Sequence, residues 1–500
     1  MSALHELLNE YNCSEQARDF LSVTHSLFIN NECVEAQGGQ MDEIIEPFTE
    51  ELLSRVASAS IADVDKAIDS AHHAFSEGEW STLTPSARER ILLKLADLVE
   101  QHSTIIAEIE SLNAGKAIAG CKEVDVGGSI DVLRFMAGMA TKIEGTTRQV
   151  SIPGEHFSYS IKQPVGVVAA IVPWNWPFNM AIWKIAAPLA AGCTVVLKPA
   201  QQTPLSILYF AKLCQLAGLP AGALNIITGS GSKLGSHLVS HPKVSKVSFT
   251  GSTEVGKTVG KMSMDNIAHV TLELGGKSPM IAFEDANIED IVQATQQSIF
   301  FNTGQVCSAG SRLYVHQSIY EATLAAISEK AQSMHIGFSL DPKTEMGPAV
   351  SKQQRASIHH YIDIGIQSGA RLVCGGIDDT PTGYFVKPTI FADCTNDMAI
   401  VQEEIFGPVL CVIPFSTEEE AIRLANDNIY GLAGSIFTRD VSRAIRLTRR
   451  LEAGTVWVNT HDLIDANTTF GGFKQSGIGK DLGMEQIDHY LETKSVWIAL

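Results

Sequence analysis

Between residues 165 and 256 the chain alternates short, apolar-rich runs with stretches that carry helix starts and stops, and few folds satisfy that pattern. Residues 165–172 are wholly apolar, and 194–197, 224–228 and 244–249 are largely apolar or alternating runs of strand length. Between them a helix is expected over about 180–191, after Pro173-Trp174-Asn175-Trp176-Pro177, and another from a cap at Thr203-Pro204 to a stop at Gly218. A strand without a polar face has to be covered on both sides, which crossover helices achieve. The pattern therefore predicts an α/β fold built on a doubly wound parallel sheet. Ligands of such sheets sit beyond the carboxyl ends of the strands.

The flanking regions read differently. Residues 30–57 are short, apolar and turn-rich, like a leading hairpin, and Ile61 opens an amphipathic helix. Thr84 and Pro85 then cap a longer helix in which Ile91, Leu92, Leu95, Leu98 and Val99 recur at helical spacing, and Gly115 stops it or its successor. Residues 143–163 are rich in Thr, Ser and Tyr around a Pro153-Gly154 turn, the composition of a projecting extended hairpin. After Gly276 the alternation restarts with residues 279–283, a helix through about Ile299 and a cysteine-bearing loop. A final strand is expected near residues 495–500. The expected division is 1–142 with 164–275 as a dinucleotide-binding domain, 276–483 as a second α/β catalytic domain, and 143–163 with 484–500 as a small β oligomerisation arm.

Charge and cysteine usage narrow the class. At 500 residues, core size is not limiting. The net charge of −19 and the lack of a dense Lys/Arg run argue against a nucleic-acid partner. The 9 cysteines are scattered, odd in number and without a C-x-x-C pair, so neither a disulfide framework nor a zinc site is expected. No apolar run is long enough to span a membrane and the start lacks a signal-peptide pattern. The expectation is a cytoplasmic protein with no membrane partner.

Several residues carry possible chemistry, each with a plainer reading. Cys307 lies among small and polar residues in Phe300-Phe301-Asn302-Thr303-Gly304-Gln305-Val306-Cys307, where a thiol could meet a substrate or simply be buried. Glu273 sits between Leu272 and Leu274 and precedes two glycines, and an apolar setting raises a carboxyl into the range of a usable base. Gly251-Ser252-Thr253-Glu254-Val255-Gly256 could offer backbone amides to a pyrophosphate or be an ordinary strand-to-helix turn. Lys198 and Gln201 end a strand of the same sheet, where they could bind ribose hydroxyls or be solvated. Asn175 is held between tryptophans and prolines, a setting for an oxyanion donor or for a structural turn. His237 and His241 have metal-pair spacing but no third ligand nearby, so no metal is expected.

Taken together, the motifs PWNWP, KPA, FTGSTEVG, LELGGKSP, FNTGQVCSAGSR, EEIFGPV and FGGFKQSGIGK resemble those of the NAD(P)-dependent aldehyde dehydrogenases. The likeness spans about Phe28 to Val496, and residues 458–467 look like the bacterial phenylacetaldehyde branch. The resemblance implies oxidation of an aldehyde to the acid through a cysteine thiohemiacetal and thioester. It implies Cys307 as nucleophile, Glu273 as base for the deacylating water, Asn175 with the Cys307 amide as oxyanion hole, and assisting roles for Lys184 and Asp481. For the cofactor it implies Trp174, Lys198, Gln201, Gly231, Gly251, Ser252, Leu274, Glu404 and Phe406. Trp176, Met180, Trp183, Phe301, Asp462, Ile464 and Phe470 are expected to line the substrate funnel. NAD is the implied cofactor. Gln201 stands where NAD-preferring members usually carry glutamate, which leaves NADP open. The arm and C-terminal strand resemble dimer-forming elements, so a homodimer or homotetramer is expected. A CoA-acylating enzyme and a catalytically silent protein of the same fold are the alternatives, and the presence of Glu273 and Cys307 counts against both.

Overall fold

The computed structural model describes residues 2–500; Met1, the first residue of the N-terminal stretch read above, lies outside them. Five strands form the parallel centre of an eight-stranded sheet, in the spatial order His269–Glu273, Val244–Thr250, Val167–Ile171, Thr194–Lys198 and Leu224–Ile226. Antiparallel edges close it: Leu27–Ile29 with Glu32–Val34 on one side and Gly477–Ile478 on the other.

Strand alternation shows why the two middle strands, Val167–Ile171 and Thr194–Lys198, are apolar on both faces. Val168, Ala170, Val195 and Leu197 pack with the helices Pro85–Gln101, Gly128–Met139, Pro177–Ala191 and Leu205–Ala217. Their neighbours Val167, Ala169 and Val196 pack instead with Ile61–Ser76, Ser236–Ser240 and Thr253–Ser263. Both faces are covered, so the sheet is doubly wound.

A second, seven-stranded sheet runs Arg371–Cys374, Thr389–Ala392, Val409–Phe415, Arg312–His316, Pro279–Ala282, Ala433–Phe437 and Thr455–Val458, parallel except at its first strand. The stretch expected to form this second unit also supplies Gly477–Ile478 to the edge of the first sheet. The arm consists of His156–Pro164 paired antiparallel with Leu491–Ala499 along its whole length, with Thr147–Arg148 beside it. No helix among the described residues is long and apolar enough to cross a membrane.

Local signals place most helix ends. Thr84 caps Pro85–Gln101 through its side chain, Thr417 caps Glu418–Asn426, and Gly115 and Gly218 end their helices in the left-handed conformation. Thr203 is a correction: its hydroxyl has no partner, and Pro204 occupies the cap position of Leu205–Ala217 without a side-chain bond. The expected leading hairpin is two hairpins. Leu27–Ile29 turns into Glu32–Val34 through Asn30 and Asn31, both left-handed, while Met41–Ile45 pairs with Leu52–Ala57 in a separate three-stranded sheet.

Candidate active site

The carboxyl ends of three parallel strands open on one cleft. Residues 173–176 follow Val167–Ile171, Gly251 and Ser252 follow Val244–Thr250, and Glu273 and Gly275 end or follow His269–Glu273. The second unit closes the cleft with Cys307, Gln354, Glu404 and Phe406, leaving a cavity of about 270 Å3. A second cavity, also about 270 Å3, lies on the other side of Cys307. Trp183, Phe301, Asp462, Ile464 and Phe470 line it, and Trp176, Met180 and Cys307 wall both cavities. Trp176 stacks on Phe301 at 5.8 Å, and Trp183 meets Phe470 edge-on at 5.6 Å.

The loop that presents Cys307 is strained and over-determined. Asn302, Thr303 and Gly304 are consecutive left-handed residues, at φ 47°, 57° and 68°. That conformation is unusual for a β-branched threonine and is stored where the surroundings enforce it. Here the Thr303 hydroxyl donates to Gly347 O at 2.8 Å, Asn302 Nδ2 to Asn175 O at 3.1 Å, and Val350 N to Gln305 Oε1 at 2.9 Å. A Cβ on Gly304 would lie 2.2 Å from the Gly407 carbonyl carbon, so the backbones touch there.

Burial sets the electrostatics. Glu273 is 4% exposed and neither carboxylate oxygen has a hydrogen-bond partner. Burial raises its carboxyl to about 8, with the Lys184 charge the main opposing influence. The neighbouring Cys307 thiol opposes it weakly, without a hydrogen bond that satisfies either oxygen. Cys307 keeps part of its surface open to the cavities. Burial on its other sides, then the charges of Glu273, Asp462 and Glu404, holds its thiol well above the ordinary range. Asn175 Nδ2 donates to Gln305 O at 2.9 Å, which leaves its second N–H. Glu404 Oε1 accepts from Gly276 N at 3.0 Å, and burial raises its carboxyl to about 7. A Cβ on Gly275 would come within 2.1 Å of Glu404 Oε2, so only glycine admits that carboxylate.

Lys184 lies beneath the cleft rather than in its wall. It pairs with Asp481 at 2.8 Å, with side chains 0% and 4% exposed, and Gln486 Nε2 donates to the other Asp481 oxygen at 3.1 Å. Lys198 Nζ donates to Pro199 O at 3.0 Å, and a Cβ on Gly231 would lie 3.9 Å from that ammonium. Leu274 turns its side chain into the core against Gly256, so any contact it makes with a ligand is through backbone. Gln201 is not free: its Nε2 donates to Asp42 Oδ1 at 2.9 Å. His237 and His241 both face Asp65, at 2.6 and 3.8 Å.

Sequence reasoning missed residues that shape the site from a distance. Lys116 pairs with buried Asp125, donates to Asn175 O at 3.2 Å and sits 3.6 Å over the Trp176 ring. It thereby fixes the turn that carries Asn175. Asn179 and Ser308 line the second cavity, and the spacing Trp176, Asn179, Met180, Trp183 on one helix face was a signal for the first. Nothing local marked Lys116, Gln354 or Asp42.

A doubly wound sheet opening onto a thiol that divides a polar cleft from an aromatic cavity defines an α/β protein with a candidate thiol-centred site. Comparison with known proteins gives the particular family. The model of the aldehyde dehydrogenase family matches residues 33–496. Phenylacetaldehyde dehydrogenase of Pseudomonas fluorescens is 47% identical over 494 residues, 98% of each chain. Human retinal dehydrogenase 2 is 43% identical over 476 residues, 95% of this chain and 92% of that protein. Among solved structures, aldehyde dehydrogenase from Bacillus cereus in its NAD+ complex superimposes with a TM-score of 0.95 at 44% identity, covering 97% of this chain and 99% of that one. The chain belongs to the aldehyde dehydrogenase family, and is an oxidoreductase that oxidises aldehydes with NAD.

Proposed function

We propose that the protein oxidises phenylacetaldehyde, or a similar aryl or medium-chain aldehyde, to the carboxylic acid with Cys307 as nucleophile. The observation that carries this reading is the position of Cys307, which alone with Trp176 and Met180 walls both cavities. A thiol there meets an aldehyde arriving through the aromatic cavity and the cofactor arriving through the polar one.

The residues present fit a dinucleotide. Ser252 caps the helix Thr253–Ser263, whose N-terminus opens toward the cleft. Glu404 and Lys198 offer an acceptor and a donor, and Trp174 meets Phe406 edge-on at 5.2 Å. Gly251 lines the same wall, and Gly231 leaves room beside Lys198. NAD, when bound, supplies the acceptor for the hydride that leaves the tetrahedral carbon.

The other steps belong to the chain. Glu273, ionised, takes the Cys307 proton as sulfur bonds to the aldehyde carbon. The free Asn175 N–H and the Cys307 amide hold the resulting oxyanion. After oxidation a thioester remains; Glu273, having released the first proton to solvent, takes a proton from water as it attacks and returns it to the departing Cys307 sulfur, releasing acid and thiol. The Lys184–Asp481 pair supports Glu273 by the cation that keeps its carboxyl from rising further. Trp176, Met180, Trp183, Phe301, Asp462, Ile464 and Phe470 receive the ring, and no Lys or Arg lines that cavity. The relatedness to phenylacetaldehyde dehydrogenase supports the same substrate.

We further place the enzyme in the cytoplasm as a homodimer or homotetramer joined through the arm, where Phe157, Trp497 and Ile498 are exposed. An aldehyde panel read by NADH absorbance, with and without CoA, tests the function. Phenylacetaldehyde is expected to give the highest kcat/KM without CoA. A lead for acetaldehyde or betaine aldehyde, or a requirement for CoA, would overturn it.

A further inference from the structure

Gln201 follows the strand Thr194–Lys198 and lacks a charge, yet the structure puts a carboxylate beside it. Asp42 Oδ1 accepts from Gln201 Nε2 at 2.9 Å, and Asp42 Oδ2 is buried without a partner. The carboxylate arrives by register. Asp42 pairs with Val56 in the hairpin Met41–Ile45 and Leu52–Ala57. The end of that hairpin is tied to the carboxyl end of the parallel sheet: Ala59 N donates to Thr228 O at 2.9 Å and Thr228 Oγ1 to Ala57 O at 2.6 Å. Ser58 N donates to Gln40 O at 2.8 Å, which carries the tie to the residues before Asp42. Lys198 stands close enough to feel the Asp42 charge, which opposes the lowering of its ammonium by burial.

We propose that Asp42 is the residue that selects NAD over NADP, with Gln201 anchoring it. The inference rests on the reading of the carboxyl end of the parallel sheet as the cofactor site, with the adenosine end lying beyond the residues that wall the cleft. An orphaned, buried carboxylate oxygen is costly until a donor reaches it, and the hydroxyls of an adenosine ribose are such donors. A 2′-phosphate brings negative charge to the same place and offers no donor. It sets two anionic groups beside the Lys198 ammonium. The glutamine therefore does not open the site to NADP, because the charge it lacks is supplied from another sheet, 159 residues away in the chain.

Equilibrium titration of NADH and NADPH fluorescence on the intact protein tests this without turnover. The parent is expected to bind NADH at least tenfold more tightly than NADPH. Asp42→Asn, which keeps the size and an acceptor, should cut that ratio tenfold or more, chiefly by tightening NADPH. Gln201→Ala keeps the carboxylate and is expected to retain a preference for NADH. A ratio in Asp42→Asn within threefold of the parent's, with both nucleotides bound, would overturn the inference and leave the cofactor site intact. Loss of the preference in Gln201→Ala would overturn it too. A parent that binds neither nucleotide would sink the cofactor site itself, and the inference with it.

Discussion

Replacing Glu273 by glutamine separates the two halves of the proposed reaction. The carboxylate is fully enclosed and neither oxygen is hydrogen-bonded, so the change removes a charge without breaking a network. A positioned general base contributes about 10²- to 10⁴-fold, and steady-state turnover should fall by that much. The first hydride transfer needs the base only to take the thiol proton, which solvent can accept more slowly. Rapid mixing with phenylacetaldehyde and NAD should give a burst of about one NADH per site. The same burial predicts a gain in stability. A carboxyl that titrates near 8 in the folded protein and at its ordinary 4.5 when unfolded keeps its proton longer in the fold. Stability contributed by the protonated group is full below pH ~4.5 and is lost as pH climbs to about 8, by on the order of 4 kcal/mol. Glutamine has no such loss. The thermal midpoint of Glu273→Gln should therefore pull ahead of the parent's as pH is raised from about 5 to about 8. Steady-state rates within tenfold of the parent, or a gap in midpoint that does not change with pH, would refute the reasoning.

Other outcomes follow from the same geometry. Turnover of the parent should rise about tenfold between about pH 7 and pH 9 as Glu273 ionises, and Glu273→Gln should lose that limb in a pH–rate profile. Lys184→Met leaves Asp481 buried and uncompensated, so denaturant unfolding should show a loss of about 3–5 kcal/mol. The rising limb of its pH profile should move to higher pH. Trp183→Ala removes the edge-on contact with Phe470, so kcat/KM for phenylacetaldehyde should fall more than tenfold while acetaldehyde changes less than threefold.

The sequence made the fold class legible because the strands Val167–Ile171 and Thr194–Lys198 at the centre of the sheet are almost wholly apolar and capped helices alternate with the strands, and Val167–Ile171 and Val244–Thr250 lie where strands were predicted. Cys307, Glu273 and Asn175 were legible from their local settings and the motifs around them, and the structure brings all three to one cavity. What was not legible is what depends on distant pairing. Gln201 looked uncharged and free because Asp42 reaches it through a separate hairpin. Nothing in the sequence near Lys116 marked it, yet its ammonium holds the Asn175 turn. Thr203 looked like a cap, but proline in the cap position left its hydroxyl unused. Strain at Thr303 has no sequence signature at all, because threonine is a poor left-handed residue and only the packed loop explains it.

The most direct test of the central claim is to trap the acyl group. Glu273→Gln mixed with phenylacetaldehyde and NAD, quenched in acid and read by intact and peptide mass spectrometry, should carry one phenylacetyl thioester per chain, on Cys307. Cys307→Ala should bind cofactor, form no adduct and turn over no aldehyde. An NADH burst without an adduct, or an adduct on any of the other eight cysteines, would contradict it.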